Sequence, residues 1–234
     1  MKHDMTNKTC VVTGASRGIG FHIARALHEA GAQVAITGRS EQTLVDASEK
    51  IGERCRYFVC DQRNPFAIEK MAKAVIESVG APDLLVNNAG LFRLLKTLNT
   101  TLENWNEIIE TNLTGVFLTT KAFLPSMLEK DRADIVMISS MSGKKGDPGA
   151  AAYAASKFGL QGFSQALMYE VRKSNIRVMV MNPSSVDVSE TPGTESGPGL
   201  HLHAADIADT IVHLACLPGR TMIRDMDIYG TNPG

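Results

Sequence analysis

The chain has 234 residues, of which 44% are hydrophobic and 21% are charged, and its formal net charge is −1. This length suffices for one well-cored domain, and we predict a single domain over residues 1–234. The near-neutral charge, without clustered Lys and Arg, argues against nucleic acid or an anionic membrane as a partner. The polar start and the lack of a long apolar run predict a soluble, cytoplasmic protein.

Strands and helices alternate along the chain. A β-branched apolar run at 9–13 precedes a glycine-rich turn and a helix predicted over 19–30. Further strands are predicted over 33–37, 55–60, 83–86, 133–139, 176–181 and 226–229. Further helices are predicted over 41–50, 65–79, 103–128, 153–173 and 206–217. This alternation predicts an α/β Rossmann fold: one doubly wound, mainly parallel, seven-stranded sheet with helices on both faces and a ligand crevice at the carboxyl ends of its strands.

One segment interrupts this alternation. Residues 191–203 are rich in Gly, Pro, Ser and Thr, which suits a loop better than a packed element. We therefore predict a mobile substrate loop over 188–205. His201 and His203 lie in it, where they could either meet an anionic substrate group or simply be solvated.

The four cysteines have no metal-site spacing. Cys10 and Cys60 lie in apolar strand-like runs, and no CxxC pair occurs among Cys10, Cys55, Cys60 and Cys216. Buried thiols are therefore favoured over disulfides or metal ligands, and we predict that there is no metal site.

Tyr153 and Lys157 are four residues apart, so a helix would place both on one face. A nearby ammonium favours the phenolate and lowers the pKa of a tyrosine, which could then exchange a proton with a carbonyl or an alcohol. Such a pair also arises often by chance, as an exposed lysine beside a half-buried tyrosine. Other motifs in the chain are therefore needed to indicate whether the pair is catalytic.

The turn after the first strand reads Thr13-Gly-Ala-Ser-Arg-Gly-Ile-Gly20. Its position before a helix predicts a phosphate cradle, although its glycine spacing is not that of the usual GxGxxG fingerprint. The same turn contains a GxSxG pattern centred on Ser16, which is typical of hydrolases. A hydrolase is disfavoured because Ser16 already follows the first strand, which leaves no earlier strand to supply the loop of an oxyanion hole, and a downstream Asp and His would also be required.

Five motifs in this order resemble the short-chain dehydrogenases/reductases, including members similar to 3-oxoacyl-[acyl-carrier-protein] reductases. They are the 13–20 turn, Asn87-Asn-Ala-Gly90, Asn112, Ser140 and Tyr153-x-x-x-Lys157. The resemblance covers roughly residues 8–183. It implies a hydride-transferring oxidoreductase with a nicotinamide cofactor, which in such enzymes carries the hydride chemistry.

The resemblance also implies roles for four residues. Tyr153 would be the general acid or base at the substrate oxygen, and Ser140 would hydrogen-bond to that oxygen. Lys157 would hold the nicotinamide ribose and lower the pKa of Tyr153. Asn112 would anchor a water that links Lys157 to solvent. This set agrees with the need of a developing alkoxide for hydrogen-bond donors and a proton source.

Two arginines predict NADP(H) as the cofactor. Gly38 occupies the position where NAD-dependent enzymes usually place an acid, and Arg39 and Arg17 could pair with a 2′-phosphate. Within the resemblance, Asp61 contacts the adenine and residues 88–90 line the adenosine side. The predicted cofactor contacts are Gly14, Ser16, Arg17, Gly18, Ile19, Gly20, Arg39, Asp61, Asn88, Ala89, Gly90, Tyr153, Lys157, Pro183 and Val186.

The chain departs from the family pattern after the sixth main strand. Ser184 stands where a glycine is usual and Val188 where a threonine usually contacts the nicotinamide amide, a contact that Ser189 takes over if the loop shifts by one residue. Residues 228–234 replace the frequent closing Asp-Gly-Gly. This puts the usual packing of the tail in doubt.

These observations favour an NADP(H)-dependent reductase of a small-molecule or acyl-thioester carbonyl substrate, including 3-oxoacyl compounds, that forms a homodimer or homotetramer. The alternative is a non-catalytic NADP-binding sensor or scaffold on the same fold. Docking of an acidic carrier protein by Lys130, Arg132, Arg172 and Lys173 stays open, because cations at helix ends also complement the helix dipole.

Overall fold

Seven parallel strands form the central sheet in the computed structural model, which describes residues 3–188 and 202–231. The sheet has the order β3-β2-β1-β4-β5-β6-β9, and β7 and β8 pair separately. The strands are β1 Thr9–Thr13, β2 Gln33–Gly38, β3 Cys55–Val59, β4 Leu84–Asn87, β5 Ala133–Ile138, β6 Ile176–Pro183, β7 Val186–Asp187, β8 Leu202–His203 and β9 Asp225–Ile228. The predicted α/β fold is confirmed.

Helices cover both faces of this sheet. They are α1 Gly18–Glu29, α2 Glu41–Ile51, α3 Pro65–Val79, α4 Leu102–Ile109, α5 Gly115–Leu128, α6 Ala151–Val171 and α7 Ala204–Cys216. One core cluster joins the sheet to α1, α2 and α7, and a second joins it to α3, α5 and α6. Every residue of β5 is buried, as expected for a central strand covered on both sides.

The helix predicted over 103–128 is two helices. A π-helical turn at Glu110–Thr114 separates α4 from α5. Asn112 lies in this turn with its side chain fully buried. Single π-turns are frequent at functional sites, so the position of this irregularity already draws attention to Asn112.

The order of the strands reverses between β1 and β4, which are neighbours although two strands lie between them in the chain. Connections leave these two strands toward opposite faces of the sheet, so a crevice opens at their carboxyl ends. The segments that follow β1, β4, β5 and β6 therefore meet at one edge.

Within the described residues, no helix is long and apolar enough to cross a membrane. The single domain over 1–234 stays a prediction.

Candidate active site

A cleft of about 960 Å³ lies at the carboxyl edge of the sheet. This volume is at the upper end of the range of about 300–1,000 Å³ that is usual for small-molecule sites. The cleft brings together nearly all of the predicted site residues: Gly14, Ser16, Arg17, Gly18, Ile19, Gly20, Arg39, Asp61, Asn88, Ala89, Gly90, Ser140, Tyr153, Lys157, Pro183 and Val186. Asn112 is the exception, because it is buried behind the wall of the cleft.

The turn between β1 and α1 is shaped for a phosphate. Gly14 has a φ of 64°, and a Cβ there would lie 2.7 Å from the Cα of Ala89, so a larger residue would clash with the backbone after β4. No side chain caps the amino end of α1. Its first N–H groups, at the positive end of the helix dipole, can therefore bind an anion.

Asn88 and Thr13 fasten this turn to β4. The Asn88 Nδ2 donates to the carbonyl oxygens of Thr13 and Gly14 at 2.9 and 3.1 Å. The Thr13 hydroxyl accepts from the main-chain N–H groups of Asn88 and Ala89, each at 3.0 Å. The side chain of Asn88 thus holds the shape of the cradle from the far side of the crevice.

Three charged residues line the opposite end of the cleft from Tyr153. Arg17 and Arg39 are exposed at the cleft surface. The carboxylate of Asp61 accepts hydrogen bonds from Arg63, with 2.7 Å between Arg63 Nη2 and Asp61 Oδ2. The hydrogen bonds from Arg63 lower the pKa of Asp61. An adenine contact by Asp61 would therefore be made by a carboxylate that Arg63 already orients.

Tyr153 and Ser140 meet at the end of the cleft away from Arg17 and Arg39. Burial raises the pKa of Tyr153, and a hydrogen bond with the Ser140 side chain acts in the opposite direction. The net direction is therefore upward, opposite to the lowering expected from Lys157, because burial is the largest effect. Ser140 begins a short turn at Met141–Gly143, and its hydroxyl accepts from the N–H of Ser142 at 3.1 Å.

Lys157 is buried directly below Tyr153. Its Nζ donates to the carbonyl oxygen of Ile138 at 2.8 Å and lies 5.6 Å from the centre of the Tyr153 ring. Burial lowers the pKa of Lys157 to about 8. The charge of this ammonium group is consequently sensitive to pH near neutrality.

The side chain of Asn112 joins three parts of the site. It accepts from the N–H of Leu91 at 2.7 Å and donates to the carbonyl oxygen of Leu91 at 2.9 Å. It also donates to the hydroxyl of Ser156, which in turn donates to the carbonyl oxygen of Tyr153. The π-turn is thereby connected to the segment after β4 and to the helix that carries Tyr153 and Lys157.

Ser139 and Ser140 are adjacent but have different partners. The Ser139 hydroxyl accepts from Gln161 Nε2 at 3.2 Å, whereas Ser140 is the serine beside Tyr153. Gln161 also donates to Asn182, which donates to Asp225 and Asp227 on β9.

Lys144 completes the polar chain that runs from Ser139 through Gln161 and Asn182 to Asp225 and Asp227. The sequence did not indicate this chain of contacts. The Lys144 Nζ lies 2.9 Å from Asp225 Oδ2 and 2.6 Å from Asp227 Oδ1. The two aspartates are two residues apart on one strand and so share a face, which is the one signal in the sequence that could have indicated a common partner.

The segment after β6 is described only in part. Ser184 donates its N–H to the carbonyl oxygen of Ile228 at 2.9 Å, and Val188 lies against the turn at Gly18. His203 precedes α7 and donates its N–H to Asp206 at 2.8 Å, and it does not line the cleft. Most of the predicted mobile loop over 188–205, with Ser189 and His201, lies outside the described residues.

Of the four basic residues considered for carrier-protein docking, two form ion pairs within the chain. Lys130 pairs with Asp83 at 3.1 Å, and Arg132 pairs with Asp134 at 3.2 Å. Arg172 and Lys173 are exposed after α6. Among the described residues, no group of His, Cys, Asp or Glu is arranged to hold a metal ion.

Comparison with known proteins gives the family. The family model described as short chain dehydrogenase matches residues 8–196. The chain belongs to the short-chain dehydrogenase family. It is therefore an oxidoreductase, which favours the dehydrogenase prediction over the hydrolase alternative at Ser16.

Three relatives illustrate this membership. The chain is 32% identical over 221 residues to an uncharacterized oxidoreductase of Staphylococcus epidermidis, covering 94% of this chain and 96% of the relative. It is 39% identical over 184 residues to a 3-oxoacyl-[acyl-carrier-protein] reductase of Escherichia coli, covering 79% of this chain and 75% of that enzyme. A solved metagenomic short-chain oxidoreductase in complex with NADP has a TM-score of 0.86 and 32% identity, with 98% of each chain covered. NADP(H), the cofactor expected from the sequence, is the one held in that structure.

Proposed function

We propose that the protein is an NADP(H)-dependent reductase that converts a ketone to a secondary alcohol, with 3-oxoacyl compounds among its candidate substrates. One observation carries the proposal: Ser140, Tyr153 and Lys157 converge at one end of a cleft whose other end is a glycine cradle flanked by two arginines. The 3-oxoacyl reductase relative supports the reaction class, and the NADP-bound structure supports the cofactor.

The residues present fit such a cofactor. The uncapped start of α1 and the space kept open by Gly14 suit a pyrophosphate. Arg17 and Arg39 at the same end suit a 2′-phosphate, and Gly38 presents no carboxylate to repel it. When bound, the nicotinamide supplies the hydride that the carbonyl carbon accepts.

Tyr153 and Ser140 act on the carbonyl oxygen. The phenol of Tyr153 gives its proton to the oxygen as negative charge develops there, and the Ser140 hydroxyl donates a hydrogen bond to the same oxygen. The existing contact between the two side chains means that one oxygen atom can lie within reach of both. In the reverse direction, Tyr153 accepts the proton of the alcohol.

Lys157 and Asn112 restore the proton. The ammonium of Lys157 stabilises the phenolate that remains on Tyr153 after proton transfer. Asn112, whose side chain bonds to Leu91 and Ser156, anchors a water through which the proton of Tyr153 is replaced. A Cβ at Gly90 would lie 3.6 Å from Asn112 Oδ1 and 3.8 Å from Lys157 Nζ, so the two side chains border the same small space.

The test is NADPH oxidation across a panel of ketones that includes a 3-oxoacyl thioester, with NADPH binding measured separately. Tyr153→Phe is expected to lose about 100-fold or more in turnover, the usual scale of general acid catalysis, while it still binds NADPH. Tyr169→Phe, at an exposed tyrosine of the same helix, is the matched control. Wild-type turnover in Tyr153→Phe would refute the assignment of the acid. Tight NADPH binding without turnover of any ketone would instead favour the sensor or scaffold alternative.

The homodimer or homotetramer and the cytoplasmic location stay predictions.

A further inference from the structure

Phe92 forms an exposed aromatic wall beside the catalytic tyrosine. It follows β4, lines the cleft and is 57% exposed. Its ring lies edge-on to that of Tyr153, with 4.9 Å between the centroids and an interplanar angle of 81°. A large aromatic side chain left this exposed inside a cleft provides apolar surface that a ligand can bury.

Tyr229 forms a second such wall. It follows β9, lines the same cleft and is 54% exposed. The hydrogen bond from Ser184 to Ile228 fastens the end of β9 to the end of β6 at this point. Tyr229 therefore borders the catalytic end of the cleft and not its phosphate end.

The order of the strands puts these walls on opposite sides of the reacting carbonyl. Phe92 follows β4 and Tyr229 follows β9, with β5 and β6 between them. Three strand spacings correspond to about 14 Å. Ser140, which follows β5, lies in the interval. A carbonyl bound by Ser140 and Tyr153 would thus have one aromatic wall on each side.

The exposed charged residues at the rim of this end of the cleft do not select an anion. Of the described residues that line it, Lys145 and Asp147 are charged and lie at the rim, and their side chains pair at 3.9 Å. Lys157 is buried and bonded to Ile138. At the rim, an anionic substrate would therefore meet a carboxylate as well as an ammonium, so that these two exposed charges give no net attraction, while the buried ammonium of Lys157 is held beside Tyr153.

We propose that the substrates of this site are neutral ketones that carry an aromatic ring within one or two bonds of the carbonyl. The inference rests on the proposed reductase function and specifies its substrate class. The ring packs against Phe92 or Tyr229 in the edge-to-face or offset geometry that aromatic pairs prefer. Each such pair contributes enough to change kcat/KM by about 2- to 10-fold.

The test compares three ketones at saturating NADPH. 1-Phenyl-2-propanone and 1-cyclohexyl-2-propanone have the same groups next to the carbonyl, so their difference reports the ring and not the intrinsic reactivity of the ketone. 4-(2-Oxopropyl)benzoate adds a carboxylate to the ring of the aromatic member and leaves the groups next to the carbonyl unchanged. We expect the phenyl ketone to have a higher kcat/KM than either of the other two ketones. Its kcat/KM should exceed that of the cyclohexyl ketone by about 3- to 10-fold.

Two variants locate the effect. At least one of the variants Phe92→Leu and Tyr229→Leu is expected to bring the ratio of phenyl to cyclohexyl kcat/KM closer to one, because a leucine at the wall that the ring contacts packs against both rings alike. An unchanged ratio in both variants overturns the inference. Phe66→Leu, at an 83% exposed phenylalanine at the start of α3, is expected to leave the ratio unchanged. Competitive inhibition by the two corresponding alcohols gives the same comparison without turnover, and NADPH binding checks that each variant is folded.

Three results distinguish the inference from the proposed function. Equal kcat/KM for the phenyl and cyclohexyl ketones overturns the aromatic preference but leaves the reductase intact. A higher kcat/KM for the carboxylate-bearing ketone overturns the neutral substrate class. NADPH binding with no reduction of any ketone overturns the reductase function itself.

Discussion

The Nζ of Lys157 donates a hydrogen bond to the carbonyl oxygen of Ile138 at 2.8 Å while it lies 5.6 Å from the centre of the Tyr153 ring. The lysine is thus fixed by the end of β5, the same strand whose end leads into Ser140. Its burial lowers its pKa to about 8. A single strand end therefore sets the position of both the hydroxyl and the ammonium that lie beside Tyr153.

The pH dependence of the proposed reductase activity should follow Lys157. The ammonium stabilises the phenolate of Tyr153 only while it is protonated, so kcat/KM for ketone reduction should fall as the pH rises through about 8. The measurement is kcat/KM from about pH 6 to about pH 10, which reports ionisations of the free enzyme. Lys157→Arg keeps its charge over this range and should lose the decline, even if its rate is lower throughout. A wild-type profile that is flat to pH 10 would contradict the assignment.

Arg17 and Arg39 should determine the preference for NADPH over NADH. Both line the cleft at the phosphate end, and a hydrogen bond to a charged group contributes about 1.5–3 kcal/mol. Arg39→Ala should therefore weaken NADPH binding by about 10- to 100-fold, with little effect on NADH, which has no 2′-phosphate. Arg17→Ala should act in the same direction.

The measurement is a fluorescence titration of each nucleotide. Arg56→Ala, at an exposed arginine of β3, is the control for a general loss of positive charge. Because the interaction is ionic, salt should reduce the difference between NADPH and NADH in the wild type. If Arg39→Ala weakens the binding of NADPH and of NADH equally, the arginine supports the structure of the cleft and does not bind the 2′-phosphate.

The sequence predicted most of the sheet because the central strands are short, continuous apolar runs between turn residues. Such runs have few other stable placements in an α/β protein. The break at Glu110–Thr114 was not predicted, because a π-turn inserts a single residue and the chain is helical on both sides of it. The two-residue pairing of β7 with β8 was missed because strands of that length have no periodicity.

At the site, the motifs predicted which residues line the cleft but not what they bond to. The polar chain from Ser139 to Lys144 joins segments that are distant in the sequence, and no local pattern links Lys144 to β9. The direction of the pKa of Tyr153 was also missed. The spacing indicated only an ammonium, that of Lys157, which lowers the pKa of Tyr153. The burial that raises this pKa depends on how the whole cleft packs.

The buried ion pair between Arg177 and Asp134 should matter for stability. Both side chains are 5% exposed, and Arg177 also donates to the carbonyl oxygens of Leu214 and Thr221. Arg177→Met leaves a buried carboxylate with only the partly exposed Arg132 as a partner. The free energy of unfolding should fall by about 3 kcal/mol.

Urea unfolding measures this change. Lys73→Met is the control, since it removes an exposed pair with Glu77 and should alter the free energy of unfolding by less than about 1 kcal/mol. A loss in Arg177→Met no larger than that of the control would mean that Asp134 is adequately solvated without its partner.

Lys144 should position the turn that carries Ser140. Its Nζ pairs with Asp225 and Asp227 on β9, and Asn182 holds the same two carboxylates from below. The turn at Met141–Gly143 runs from Ser140 to Lys144, so these ion pairs tie one end of the turn to the edge of the sheet. Lys144→Met should release it and lower kcat by about 3- to 10-fold, in keeping with partly exposed pairs of about 1 kcal/mol.

The affinity for NADPH should change less than kcat, since the phosphate cradle and the two arginines are at the other end of the cleft. Lys145→Met removes the neighbouring lysine, whose own ion pair with Asp147 is long at 3.9 Å, and should show a smaller fall in kcat. Lys144→Arg should restore most of kcat, because it keeps the charge opposite the two aspartates. If Lys144→Met reduces NADPH affinity and kcat to the same extent, or if arginine gives no rescue, the lysine supports the fold in general and does not position Ser140.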